Sequence, residues 1–174
     1  ELFGFFPGSF TGNPDLKPEQ STSWEIGWDQ TAGSAEFSLT YFEADLENEI
    51  YMAFNPDFTW TARNRAGKSE RSGVELSGRW QLASNVSLSG QATFFDSQDD
   101  AGADEIRVPD MTASLSADWQ VREDGLRLGL ALDHVGEQGD FDFGPFPSRL
   151  VSLDAYTLAA LTAEYPLTER LALT

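Results

Sequence analysis

A chain of 174 residues with a formal charge of −18, no cysteine and 13 phenylalanines is unsuited to nucleic acid, whose phosphates need an excess of lysine and arginine. Lack of cysteine removes disulfides, thiolate metal centres and cysteine nucleophiles together. No run approaches the roughly 18 apolar residues of a membrane helix, and the opening ELFGFFPGSF lacks the basic and apolar regions of a signal peptide.

In chain order, the first ordered signal is GNPDLKPE over 12–19. Pro14 and Pro18 fix φ and hold Asn13 and Lys17 extended, while Gly12-Asn13 supplies a turn. Neither proline can donate to a ladder, so the segment suits a strand's entrance rather than its middle. From there alternation with period two dominates and helical periodicity is nearly absent. Strands are predicted over 24–30 and 35–46. GVELSGRWQL follows, with Val74, Leu76, Gly78, Trp80 and Leu82 opposite Glu75, Ser77, Arg79 and Gln81. VSLSGQATFF sets Val86, Leu88, Gly90, Ala92 and Phe94 against Ser87, Ser89, Gln91 and Thr93. MTASLSADW, LRLGLALD from Leu126, and 153–165 continue the pattern, and a further strand starts near Arg170. Several strands reach about ten residues, a length that suits a tilted crossing of a bilayer. The chain stops within that last strand, so both ends read as cut.

Connections alternate in length. TAGS (31–34), 83–85, REDG (122–125) and PLTE (166–169) are tight turns, whereas 47–67, 96–108 and 136–152 are long loops. Outer-membrane barrels put short turns on the periplasmic edge and long loops outside. Trp28, Trp80, Trp119 and Tyr165 lie on the apolar face a few residues before a short turn, as an interfacial girdle requires. Trp24, Tyr41 and Phe94 fall nearer the long-loop edge, where a second girdle would lie. The expected fold is therefore all-β: an antiparallel transmembrane β-barrel segment of about seven to eight strands. A soluble antiparallel sheet with one buried face also alternates and stays open as an alternative.

ELFG followed by GNPDLKPEQSTSWEIGW closely resembles the barrel of TonB-dependent outer-membrane receptors. The matching positions are Asn13, Pro14, Leu16, Lys17, Pro18, Glu19, and then Glu25 and Gly27. YFEADLENEIY (41–51) resembles the family's strand-to-loop passage. ARNRAGKSERSGVELSGRW (62–80) resembles its Gly-Val-Glu block, with Gly73 and Glu75, and IRVPDMTASLSADW (106–119) its Arg-x-Pro strand entrance, with Arg107 and Pro109. The resemblance covers the whole chain and implies the carboxy-terminal part of a barrel of about 22 strands, without plug domain or closing strands. It further implies a Gram-negative outer-membrane location, no enzymatic activity and no cofactor. Energy would come from a TonB-type complex acting through the missing plug. The implied ligand is a scarce nutrient, a ferric siderophore first and cobalamin second.

Side chains with chemical potential are few. His134 is the sole histidine, and Ser148 or Ser152 reaching it across a loop is a poor nucleophile–base arrangement. The acidic run DSQDDAGADE could hold a hard cation through Asp96, Asp99, Asp100 and Asp104. Its spacing departs from an EF-hand, so a solvated outer loop bridged by divalent ions to lipopolysaccharide is the better reading, and no metal site is assigned. YMAFNPDFTW presents Tyr51, Phe54, Phe58 and Trp60 ahead of Arg63 and Arg65, and FDFGPFPSR presents Phe141, Phe143, Phe146 and Arg149. Rings with a few cations suit an anionic, partly aromatic chelate, though rings also pack loops together. Candidate ligand residues are Tyr51, Phe54, Trp60, Arg63, Phe141, Phe143, Phe146 and Arg149. Glu75, Arg79 and Arg127 would face a plug or simply line a solvated wall. The competing functions are a complete small outer-membrane barrel with a structural or adhesive role, and a soluble carbohydrate-binding β-domain.

Overall fold

The computed structural model describes residues 8–123, 125–168 and 171–174, so part of the predicted REDG and PLTE turns, the ELFG stretch and Arg170 lie outside the described residues. The strands are β1 (Gln20–Ala32), β2 (Ala35–Glu47), β3 (Ile50–Phe54), β4 (Trp60–Asn64), β5 (Lys68–Ala83) and β6 (Val86–Gln98). They continue as β7 (Met111–Gln120), β8 (Arg127–Val135), β9 (Gln138–Asp142), β10 (Arg149–Leu153), β11 (Tyr156–Thr168) and β12 (Leu171–Leu173). No helix occurs among the described residues. The chain divides into two compact units, one of Glu1–Trp24, Glu43–Ser72 and Ser97–Glu105, the other of Glu25–Phe42, Gly73–Asp96 and Ile106–Thr174.

The larger unit is built on an antiparallel sheet in the order β1-β2-β5-β6-β7-β8-β11-β12, which does not close on itself. Register keeps like with like. Val86, Leu88, Gly90, Ala92 and Phe94 stand opposite Trp119, Ala117, Leu115, Ala113 and Met111. The row continues with Trp119 opposite Leu128 and Leu115 opposite Leu132, then Leu130 opposite Leu161. A one-residue slip would turn every one of these side chains to the wrong face.

The apolar face is bare. Leu161 is 83% exposed, and Trp28, Trp80, Trp119 and Tyr165 stand 56%, 46%, 47% and 49% exposed. Among the described residues the buried apolar side chains are Ala35 and Ala62. A sheet this apolar with no layer over it has the surface that lipid covers, and a soluble sandwich lacks that surface. The opposite face carries Ser89 and Ser116 in mutual hydrogen bond at 2.7 Å, and Ser38 donating to Asp29. By strand alternation it also carries Glu25, Glu36, Glu75, Asp118, Asp133 and Glu164 against Arg79 and Arg127.

Gly73 lies on this polar face. A Cβ there would sit 2.5 Å from Phe42 Cζ and 2.5 Å from the carbonyl oxygen of Phe94. The Phe42 ring, tilted against Phe95 at 5.9 Å between centroids, occupies the room the glycine leaves.

The predicted strands of the wall are present, most of them longer than the alternation alone indicates. The turns expected at 31–34 and 83–85 narrow to 33–34 between β1 and β2 and 84–85 between β5 and β6, with Gly33 at φ 61°. Leu126 is a correction: β8 begins at Arg127, and the Leu126 carbonyl instead accepts from Val121 N. The long loops are also more ordered than expected, since 47–67 holds the β3–β4 hairpin and 136–152 the β9–β10 hairpin.

Candidate functional site

In the smaller unit, β3 and β4 pair with Tyr51 opposite Arg63, Met52 opposite Ala62 and Phe54 opposite Trp60. Pairing sorts the rings by face. Phe54 and Trp60 share one face, edge-to-face at 5.0 Å between centroids, and Phe58 joins Phe54 at 6.1 Å. Tyr51 and Arg63 take the other, where the Arg65 guanidinium lies 5.5 Å from the Tyr51 ring centroid. The connecting turn is tied by Phe58 N donating to the Asn55 carbonyl, with Phe58 at φ 66° and 79% exposed. Asp57 accepts from the Thr59 hydroxyl and amide, and these bonds hold its carboxyl below the usual range.

The GNPDLKPE segment runs beside this hairpin and is bonded to it. Thr11 N donates to the Trp60 carbonyl, Trp60 N to Ser9, and the Thr61 hydroxyl to Thr11. Asn13 Nδ2 donates to the Ala62 carbonyl at 2.9 Å while its Oδ1 accepts from Asp15 N. Asn64 forks: Oδ1 accepts from Lys17 N at 2.8 Å, and Nδ2 donates to the carbonyls of Lys17 and Asn48 at 2.9 and 2.6 Å. Glu19 Oε1 takes Ile50 N at 2.7 Å. Pro14 and Pro18 leave the ladder groups on either side to these partners, Leu16 is half-buried, and β1 starts at Gln20, next after Glu19.

A polar frame completes this unit. Arg65 Nη1 bonds Asp100 at 2.6 Å and Asp99 at 3.4 Å, and Asp100 also accepts from Gly67 N. Arg71 bonds Glu105 at 2.9 Å and Glu49 at 3.4 Å, and the buried Ser69 hydroxyl donates to Glu49. The Asp100 hydrogen bond raises the Arg65 pKa above its ordinary value, and the same bond lowers that of Asp100. Asp99 Oδ1 caps Ala101 N and Ala103 N. Within the acidic run Asp99, Asp100 and Glu105 are engaged by arginines and backbone amides, and among the described residues no three His, Cys, Asp or Glu converge in metal-holding geometry.

In the larger unit, β9 and β10 place Phe141 opposite Leu150 and Asp142 opposite Arg149. Phe141 and Phe143 lie 6.2 Å apart, and Phe143 and Phe146 project with 71% and 102% exposure. Arg149 is engaged by Asp142 Oδ2 at 3.1 Å, and Arg107, at φ 62°, by Asp140 Oδ1 at 2.9 Å. Pro109 lies two residues before β7. Glu25 and Gly27 fall on the polar face, where a Cβ on Gly27 would meet Thr40 Oγ1 at 3.4 Å. His134 lies on the apolar face in hydrogen bond with Thr157 at 2.9 Å, while Ser152 donates to Glu137.

Sequence reasoning missed Asn64, Glu49, Arg71, Glu105, Asp140 and Asp142 as organisers of the loops. Charge runs gave no partner assignment, because pairs such as Arg71–Glu105 join positions 34 apart in the chain.

An uncovered antiparallel wall, apolar on one side, whose long connections fold into hairpins of their own, defines a stretch of outer-membrane β-barrel. The chain belongs to the TonB-dependent receptor-like β-barrel family, whose profile matches residues 1–174. It is 28% identical over 96% of its length to the vitamin B12 transporter BtuB of Photobacterium profundum, and spans 27% of that relative. It superposes on the siderophore receptor PirA of Acinetobacter baumannii with a TM-score of 0.76 at 18% identity, covering 94% of this chain and 28% of PirA. A variant of the ferric enterobactin receptor PfeA of Pseudomonas aeruginosa, in complex with enterobactin, gives a TM-score of 0.76 at 23% identity, covering 94% and 26%. The likeness to these structures is one of fold. The family places the chain in the Gram-negative outer membrane, and its relatives are receptors and transporters, not enzymes.

Proposed function

We propose that this chain supplies wall strands and outer loops of a receptor for TonB-energised uptake of a scarce nutrient, with a ferric siderophore as ligand. The observation that carries the reading is the Phe54, Phe58 and Trp60 cluster, exposed to solvent on a hairpin fixed by the Asn13, Asn64 and Glu19 bonds. Rings held ready in this way bind without the ordering cost of a floppy loop. Tyr51 and Arg63 add contact surface on this hairpin, and the β9–β10 hairpin, taken by itself, offers Phe141, Phe143, Phe146 and Arg149. A plug supplied by other residues of the receptor would contact Glu75, Arg79 and Arg127 and couple to TonB, and lipid with lipopolysaccharide would cover the apolar face. Structural neighbours named as a siderophore receptor and a ferric enterobactin receptor are in keeping with such a ligand, and the relationship to the vitamin B12 transporter favours cobalamin as the second reading.

The test is uptake by iron-starved cells carrying the whole receptor. Radiolabelled iron should enter as a siderophore complex only with an intact proton gradient and TonB. Replacing Phe54 and Trp60 together by Ala should lower uptake about two- to tenfold at sub-saturating ligand. Uptake that survives loss of TonB, or that ignores both rings, overturns the reading.

A further inference from the structure

We propose that the ligand these loops take has no net negative charge: a neutral or cationic amphipathic chelate rather than a polyanionic one. This narrows the receptor reading above and rests on it.

Most of the loop cations are already spent on carboxylates of these loops. Arg65 is held by Asp100 and Asp99, and Arg71 by Glu105 and Glu49. In the other unit Arg149 is held by Asp142 and Arg107 by Asp140. Lys68 is bridged by Asp45 and Glu47, and Arg63 donates to the Asn55 side-chain oxygen at 2.9 Å. A polyanion approaching Arg65, Arg71, Arg107 or Arg149 meets a carboxylate already seated on each. That seated carboxylate neutralises the cation and repels the incoming negative charge.

The rings point the same way for a separate reason. The face of an aromatic ring is the negative end of its quadrupole, which attracts cations and disfavours anions. Phe58, Phe143 and Phe146, the most exposed of the loop rings, therefore offer faces that attract cations and bring no positive charge of their own. The polar face of the wall repeats the bias, with carboxylates outnumbering Arg79 and Arg127. Aromatic surface in a net negative setting recognises the apolar rim and ammonium or amide groups of a hydroxamate-type chelate, or an uncharged corrinoid.

The experiment is equilibrium binding to the purified whole receptor in detergent. The probes are ferrioxamine B (cationic), cyanocobalamin (neutral) and ferric enterobactin (polyanionic). At least one of the first two should bind about tenfold or more tightly than ferric enterobactin. The gap should shrink as salt rises through the screening range. Asp142→Asn frees Arg149 beside the phenylalanines and should improve ferric enterobactin binding about two- to fivefold. The double change Asp99→Asn, Asp100→Asn, which frees Arg65, should act in the same direction by an independent route. Tightest binding of ferric enterobactin, or an unchanged selectivity in both variants, overturns the charge assignment and leaves the receptor reading standing. Binding of none of the probes overturns both.

Discussion

Asn64→Ala removes one short side chain and three hydrogen bonds. The amide oxygen gives up Lys17 N at 2.8 Å, and the amide nitrogen gives up the carbonyls of Lys17 and Asn48 at 2.9 and 2.6 Å. At about 1 kcal/mol per bond, discounted for water that reaches the Lys17 side, the loss is about 2 to 3 kcal/mol. That is roughly a 30- to 140-fold increase in how often the hairpin opens. Hydrogen–deuterium exchange on the whole receptor in detergent reads it directly: peptides covering 11–19 and 48–64 should exchange faster. Peptides covering 86–95 and 111–119 should keep their protection, because their ladders lie in the wall. Asn64→Asp retains the acceptor but turns a carboxylate toward two carbonyls, so it should lose at least as much. Unchanged exchange at 11–19 in Asn64→Ala, or equal loss in the wall, would refute the idea that this side chain ties the leading segment to the hairpin.

Gly73→Ala should destabilise the barrel by about 1 to 3 kcal/mol, measured by denaturant unfolding, because the new methyl meets a ring and a backbone carbonyl at 2.5 Å. Adding Phe42→Ala should give back only part of the loss, since the Phe94 carbonyl cannot step aside; full recovery would show that the ring alone matters. For pH, the Arg65 hydrogen bond holds the Asp100 carboxyl below its ordinary 3.8. Its stabilising contribution is therefore complete above that value and lost as pH falls through the lower native one. Loop 97–105 should stay protected from exchange at neutral and mildly acid pH and open below about 4, and Asp100→Asn should remove that acid step.

The wall was legible because lipid on one side and polar groups on the other impose strict alternation. Val86 to Phe94 and Met111 to Trp119 carry it with few exceptions, and observed register matches each apolar residue to another. The hairpins were not legible for the converse reason. β3 and β4 mix buried and exposed residues on each face, with Thr61 and Ala62 buried while Met52, Phe54 and Tyr51 are exposed, so no alternation betrays them. β9, QGDFD, offers a glycine and two aspartates where strand formers are expected, and forms because β10 and the Arg149–Asp142 pair meet it. The aromatic candidates were visible as composition. Their division between two faces, and the neutralisation of Arg65 and Arg149, depend on partners far along the chain or across a turn.

The bonds from Asn13, Asn64 and Glu19 all land on backbone: the Ala62, Lys17 and Asn48 carbonyls and the Lys17 and Ile50 amides. The mount therefore does not depend on which side chains occupy positions 51–60. A receptor built this way has an exchangeable head on a fixed neck. Its tip can change in sequence without re-engineering the joint that carries it.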